Sequence, residues 1–402
     1  MTKRELKYFF LITIIFLAAC IETDIYLPAF PNMMGYFGVS EEAIQRLLTW
    51  NFIGICVSGP FYGPISDAIG RRRPLLFALL FFFLGSIMTI MAQGYSLMLI
   101  GRLLQGVGAG GCFTLGSAII FDAFHKDRSV QALNKLNLAI PIFMSCAPIV
   151  GGWLNMHYGF RSNFTFIGVV TFLSLLVCWW VLDEPLPEEK RMPLKGKVLA
   201  KNFGRAMKSF PFWQMTIVIS LLFAGYLLFL SQAAVLFVVS FGIDESLFQF
   251  FQASILIAWL AASLLFSRIM KRFGPLFMKM SGIYFVIGGG VAMILATYFA
   301  PRNPYLLTSS MLFYSFGVNW IMSLYFPEGM EALPDIKGIT SSLLTSFRLL
   351  ITVFIIGIVS RAYNGSVYPT AFTIVLIVAI CMPMLLFYEA QKKRTKALEP
   401  VE

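Results

Sequence analysis

The sequence predicts an all-α membrane protein: twelve transmembrane helices in two pseudo-symmetric six-helix bundles, with both termini cytoplasmic. Three observations carry this expectation. The chain of 402 residues is 58% hydrophobic and 13% charged, whereas a soluble domain carries roughly 25% charged residues. Its apolar residues fall in repeated runs of about 20, each long enough to cross ~30 Å of hydrocarbon as a helix. The basic residues between these runs favour alternate loops, as cytoplasmic loops do.

The runs lie near 8–29, 44–63, 75–94, 97–120, 136–155, 163–182, 212–239, 248–269, 279–299, 305–326, 338–360 and 368–388. In lipid every backbone amide must be satisfied within the segment, which leaves helices for runs of this length. Pro141, Pro148 and Pro383 fall inside runs and are tolerable where neighbours or water satisfy the freed carbonyls. The first run contains Glu22 and Asp24 and lacks a small-residue cleavage site, so it reads as a retained helix rather than a leader. With the N-terminus inside, 25 of the 31 Lys and Arg residues fall on the cytoplasmic side. Arg46, Arg161, Arg302 and Arg361 fall outside, and Arg102 and Arg348 lie within runs.

The longest polar segment, 183–211, contains Pro185, Pro187 and Pro193 and has 7 basic against 4 acidic residues. It divides the chain into an N-terminal half, 1–182, and a C-terminal half, 212–402. Such a linker is expected to lie on anionic headgroups, with a regulatory role as the alternative.

Several function classes are excluded or made remote. The net charge of +11 does not point to nucleic acid, because the basic residues sit between apolar runs rather than along one face. All six cysteines lie inside runs without CxxC spacing, which argues against disulfides and metal. His125 and His157 are the only histidines and fall on opposite sides of the bilayer, so no metal site and no cofactor is expected. The chain lacks a GxxxxGK[ST] phosphate loop and a soluble domain. A membrane enzyme or receptor is the remote alternative.

Charges inside apolar runs are costly, face a bundle interior or wet cavity, and are functional candidates by default. Here they are Glu22 and Asp24 in the first run, Arg102 in the fourth and Arg348 in the eleventh. If the first helix runs to Ala29, Asp24 lies ~8 Å from its outer end. Arg102 lies at a similar depth, so the two are expected to meet. Glu22 and Asp24 are roughly 200° apart around a helix and are not expected to share one spot.

Four motifs add a resemblance. Gly63-Pro64-Ile65-Ser66-Asp67-Ala68-Ile69-Gly70-Arg71-Arg72-Arg73 resembles the loop 2–3 signature of the major facilitator superfamily, with Ala68 where Arg is usual. Arg102-Leu103-Leu104-Gln105-Gly106-Val107-Gly108 resembles its fourth-helix signature, whose Arg is linked to proton transfer. Ala147-Pro148-Ile149-Val150-Gly151-Gly152 resembles the fifth-helix signature of antiporters. Thr23-Asp24-Ile25-Tyr26-Leu27-Pro28-Ala29-Phe30-Pro31 is similar to a segment of bicyclomycin- and chloramphenicol-resistance-type drug:proton antiporters. The resemblance covers the N-terminal half; the C-terminal half matches mainly by hydropathy.

The resemblance implies a monomeric proton-coupled transporter of a small molecule in the inner membrane, with protons and lipid as its other partners. Asp67 would stabilise one state from loop 2–3, with Gly63, Gly70, Arg71, Arg72 and Asp122 around it. Pro148, Gly151 and Gly152 would pack against the eighth helix and seal the outer side. Asp24 is the expected proton carrier, with Glu22 as second carrier and Arg102 favouring the carboxylate; a static Asp24–Arg102 pair is the alternative. Arg348 stands where the branch commonly carries Gln. A guanidinium there favours a carboxylate- or phosphate-bearing substrate, such as a carboxylate-type siderophore, or serves a structural pair. Tyr26, Gln105, Tyr226, Gln232, Trp259, Asn319 and Tyr325 are the further candidate substrate contacts.

Overall fold

A computed structural model describes residues 3–124, 126–191, 196–331, 333 and 336–398. His125 and Pro193 lie outside the described residues. Those described are overwhelmingly helical, and none forms a strand.

The helices are α1 (Lys3–Asp24), α2 (Phe30–Phe37), α3 (Glu41–Ile69), α4 (Arg72–Met91), α5 (Tyr95–Ala123), α6 (Lys126–Tyr158) and α7 (Arg161–Val181). They continue as α8 (Gly196–Lys208), α9 (Phe210–Ala234), α10 (Glu245–Phe299), α11 (Pro304–Glu331), α12 (Lys337–Ala362) and α13 (Tyr368–Leu398). Each apolar run of the sequence falls on one of them. Among the described residues, nine helical stretches are long and apolar enough to cross a membrane. The long α10 bends at Gly274, φ 79°, a left-handed conformation that glycine adopts without a Cβ penalty, and so carries two runs. α3 and α11 are long enough, but Asn51, Ser58, Pro60 and Pro64 in one and Ser310, Tyr314, Ser315 and Asn319 in the other lower their hydropathy.

Two features were absent from the sequence reading. α1 stops at Asp24 and passes through a short 3-10 turn, Leu27–Ala29, into α2, because Pro28 and Pro31 lack the amides a continuing helix needs. The linker contains α8, whose Lys201, Arg205 and Lys208 are exposed while Ala206 is buried, the pattern of a basic amphipathic helix.

α5 packs against α1, α3 and α4, and α4 against α7; α11 packs against α9 and α10, and α13 against both of those. The most extensive contacts between the N- and C-terminal parts of the chain are α3 with α12 and α6 with α10. Along the first, the Cys56 thiol donates to the Ser346 carbonyl at 3.4 Å and the Ser346 hydroxyl donates back to the Cys56 carbonyl at 3.3 Å. Further along, the Ser360 hydroxyl donates to the Gln45 side chain. α3 and α5 meet backbone to backbone: a Cβ on Gly106 would overlap the Asn51 carbonyl.

Candidate functional site

A cavity of about 1230 Å³ lies between α1, α3 and α5 on one side and α9, α10 and α12 on the other. Its wall is largely apolar, with two charged groups at depth. Asp24 comes from the end of α1 and Arg348 from α12. Neither makes an ion pair among the described residues. Among the described residues the Asp24 carboxylate accepts only from the Thr23 hydroxyl, at 3.4 Å. The Arg348 guanidinium sits 4.6 Å from the Phe223 ring centroid, and its buried Nε has no partner. Tyr226 and Trp259, 4.8 Å apart by ring centroids, also face the cavity. The wall extends to Asp67, Arg71 and, on α8, Asn202 and Phe203.

Beside the cavity, Arg102 is paired with Glu22 and not with Asp24, which corrects the expected contact. Arg102 Nη1 lies 2.5 Å from Glu22 Oε2 and 2.7 Å from Gln105 Oε1. Nη2 donates to the Tyr26 hydroxyl at 3.1 Å, and the guanidinium sits 4.3 Å from the Tyr26 ring centroid. Asn51 donates to Glu22 Oε1 at 2.9 Å, and Gln105 donates to Ser86 at 2.9 Å. All of these side chains are buried. The reason is helical phase: the ~200° between Glu22 and Asp24 turns one toward α5 and the other to the cavity.

The structure thus divides the expected substrate contacts. Arg348, Tyr226 and Trp259 line the cavity. Tyr26 and Gln105 belong to the Arg102 network. Gln232 accepts from the Thr370 hydroxyl, Asn319 donates to Ser263 at 2.9 Å, and Tyr325 lies beside Lys279, 4.4 Å from its ring centroid to Nζ. Sequence reasoning passed over Ser341, Ser342, Thr345 and Ser346, which line the cavity from α12. Their i, i+1, i+4, i+5 spacing on one helical face, ahead of Arg348, was the available signal.

At the Asp67 end of the cavity, Arg71 bridges two acids. It lies 2.6 Å from Asp67 and 2.7 Å from Asp122. Thus Arg71 supplies the cation that Ala68 does not. Glu184, not singled out from sequence, accepts from the backbone amides of Arg71 at 2.8 Å and Arg72 at 3.1 Å. These are free amides at the start of α4, where a carboxylate is favoured. The Arg72 guanidinium donates to the Trp179 carbonyl at 2.7 Å. Gly70 has φ 95°, and a Cβ there would overlap the Glu184 carboxylate. Gly63 lines the cavity nearby.

Small residues let α6 pack closely against the chain after α1 and against α10. Pro148 lies inside α6. A Cβ on Gly151 would overlap the Ile25 carbonyl, and one on Gly152 would overlap the Gln249 side chain of α10. Asn155 donates to Glu245 at 3.4 Å.

The family model for the Major Facilitator Superfamily matches residues 12–355. The chain belongs to the Major Facilitator Superfamily. It is a multi-pass membrane transporter of small molecules, not an enzyme. It is 22% identical to the bicyclomycin resistance protein homolog of Haemophilus influenzae, over 98% of this chain and all of that one. It is 24% identical to multidrug resistance protein D of Escherichia coli, over 85% of this chain and 86% of that one. Its fold matches a partially occluded inward-open structure of the xylose transporter XylE from E. coli with TM-score 0.73, at 15% identity, covering 96% of this chain and 97% of that one.

Two predictions concern the transporter's ends. Gly151→Ala places a methyl group against the Ile25 carbonyl. Overpacking of this kind costs about 1–3 kcal/mol, and equilibrium unfolding in mixed micelles should show a loss of that size. The second concerns Lys279, which lies 2.6 Å from Glu328 and 2.7 Å from Glu389. Lys279→Met removes the cation that Glu328 and the buried Glu389 share and should lower stability, by up to about 3–5 kcal/mol, read from equilibrium unfolding in mixed micelles.

Proposed function

We propose that this transporter is a proton-coupled antiporter that exports a small organic compound across the inner membrane by alternating access. Its halves, 1–182 and 212–402, would form two six-helix bundles that rock about the central cavity, as in transporters built from repeats. Both termini are then cytoplasmic, and the cavity faces the cytoplasm at its Asp67 end. The observation that carries this reading is Asp24, a buried carboxylate with no ion partner among the described residues, on the wall of that cavity.

The chemistry follows from hydration. A carboxyl group in dry surroundings favours its neutral form, and one that gains water or a cation favours ionisation. Rocking that exposes Asp24 to one side and then the other changes its hydration each time. A proton taken up outside is released inside when cargo or water reaches the carboxylate, and this competition exchanges one for the other. Glu22 and Arg102 hold α1 on α5 and keep Asp24 at the wall. Arg71, Asp67 and Asp122 fasten the cytoplasmic end of the N-terminal half.

The test uses proteoliposomes under an imposed pH gradient. Drug-type substrates should move against the proton flux, with matching alkalinisation or acidification of the lumen. Cargo movement without proton movement, in either protein orientation, would defeat the reading. A second reading is favoured by Arg348, whose guanidinium has no ion partner: the cargo is an anionic metabolite such as a carboxylate-type siderophore, imported or exported. Inverted and right-side-out vesicles separate the two directions.

A further inference from the structure

We infer that the cavity selects a zwitterionic solute, with an ammonium group for Asp24 and a carboxylate for Arg348, on an aromatic or apolar body. The inference rests on the proposed role of this cavity as the transport site.

Apart from the paired Asp67 and Arg71, two charges of opposite sign line the cavity, and neither has an ion partner among the described residues. Asp24 has one hydroxyl partner, and Arg348 has an aromatic face and a buried Nε without an acceptor. Among the described residues other charges inside the fold are matched: Arg102 with Glu22, Arg71 with Asp67 and Asp122, and Lys279 with Glu328 and Glu389. Buried charges are normally paired because desolvation without a partner is expensive. An unmatched pair of opposite sign is therefore a template for the complementary pair on a ligand. A solute with only a carboxylate satisfies Arg348 and leaves Asp24 dry and unpartnered, with a like charge added to the space. A solute with only an ammonium group leaves Arg348 in the same condition. A zwitterion satisfies both and adds no net charge. Tyr226, Trp259 and Phe223 supply the apolar wall between, and a guanidinium can bind a carboxylate through two parallel hydrogen bonds.

The placement also gives the solute a mechanical role. Asp24 stands on α1 and Arg348 on α12, so a solute that binds both ties the N-terminal part of the chain to the C-terminal part. A solute with one charge holds one side only.

The test compares three charge forms of one scaffold on the purified full-length protein in nanodiscs, by calorimetric titration at pH 7.5 for norfloxacin and at pH 6.0 for the amino acid and peptide, where their amines stay protonated. The scaffolds are norfloxacin, phenylalanine and a phenylalanyl dipeptide, each as zwitterion, methyl ester (cation) and N-acetyl derivative (anion). Each charge-assisted contact is worth roughly tenfold to a hundredfold in affinity. In at least one scaffold the zwitterion should lead both derivatives by that margin. Arg348→Gln should erase its lead over the ester, and Asp24→Asn its lead over the N-acetyl form. The inference is overturned if the zwitterion leads in no scaffold, or if its lead survives both substitutions. The wild-type comparison needs no variant to fold. Proton-driven transport of another compound would leave the antiport reading standing without this one; zwitterion binding with no proton-coupled movement would do the reverse.

Discussion

Arg102→Met is expected to lower the stability of the transporter by about 3–5 kcal/mol, and adding Glu22→Gln should restore most of that loss. Arg102 is enclosed completely, and its guanidinium is shared by Glu22, Gln105 and Tyr26. Removing it strands the Glu22 carboxylate with Asn51 as its remaining donor. A buried carboxylate with one neutral hydrogen bond is far less stable than one with a cation. Neutralising Glu22 in the same chain removes the charge that needed compensation, so the double variant lies closer to the wild type than Arg102→Met alone. Equilibrium unfolding in mixed micelles gives the full double-mutant cycle. Equal losses for the single and double variants would mean that the pair contributes packing only.

Asp24→Asn is expected to act in the opposite sense. Proton-driven exchange should fall to background while the unfolding midpoint stays within about 1 kcal/mol of wild type or rises. Asparagine has nearly the shape of the protonated acid and cannot release a proton. It also removes a buried carboxylate whose one partner is the Thr23 hydroxyl, so the fold loses little. Transport under a pH gradient, measured on the same preparation as the unfolding curve, separates this variant from Arg102→Met. Undiminished proton-coupled exchange by Asp24→Asn would remove Asp24 from the coupling step.

These two residues also mark how far the sequence could be read. All twelve apolar runs fall on helices, because lipid leaves the backbone no other way to satisfy its amides over that length. The charges within the runs were equally visible, since each is conspicuous against an apolar background. Their pairing was not. The depth argument let the first helix continue to Ala29, whereas α1 stops at Asp24 and the chain turns through Leu27–Ala29. That stop, together with helical phase, gave Arg102 to Glu22 and left Asp24 on the cavity wall. Glu184 was invisible for a different reason. An acid in a polar linker looks solvated, and only the folded chain brings it to the free amides that follow Gly70. Tyr325 was read as lining because a tyrosine in an apolar run stands out, but its neighbour is Lys279.

The seal at the Gly151 end has a consequence for the working conditions of the carrier. It combines glycine contacts, the neutral pair of Ser360 with Gln45, the Asn155 amide on Glu245, and Glu42 with Arg46 and, loosely, Arg361 at 3.5 Å. Mobile counterions shield exposed charges within a Debye length of about 8 Å at physiological strength, but among the described residues Arg361 with Glu42 is the ion pair that joins α12 to α3 here, and it is loose. Brine and dilute buffer should therefore leave the closing force at that face nearly the same, and the pace of turnover should answer to the gradients of proton and cargo rather than to the salinity of the medium.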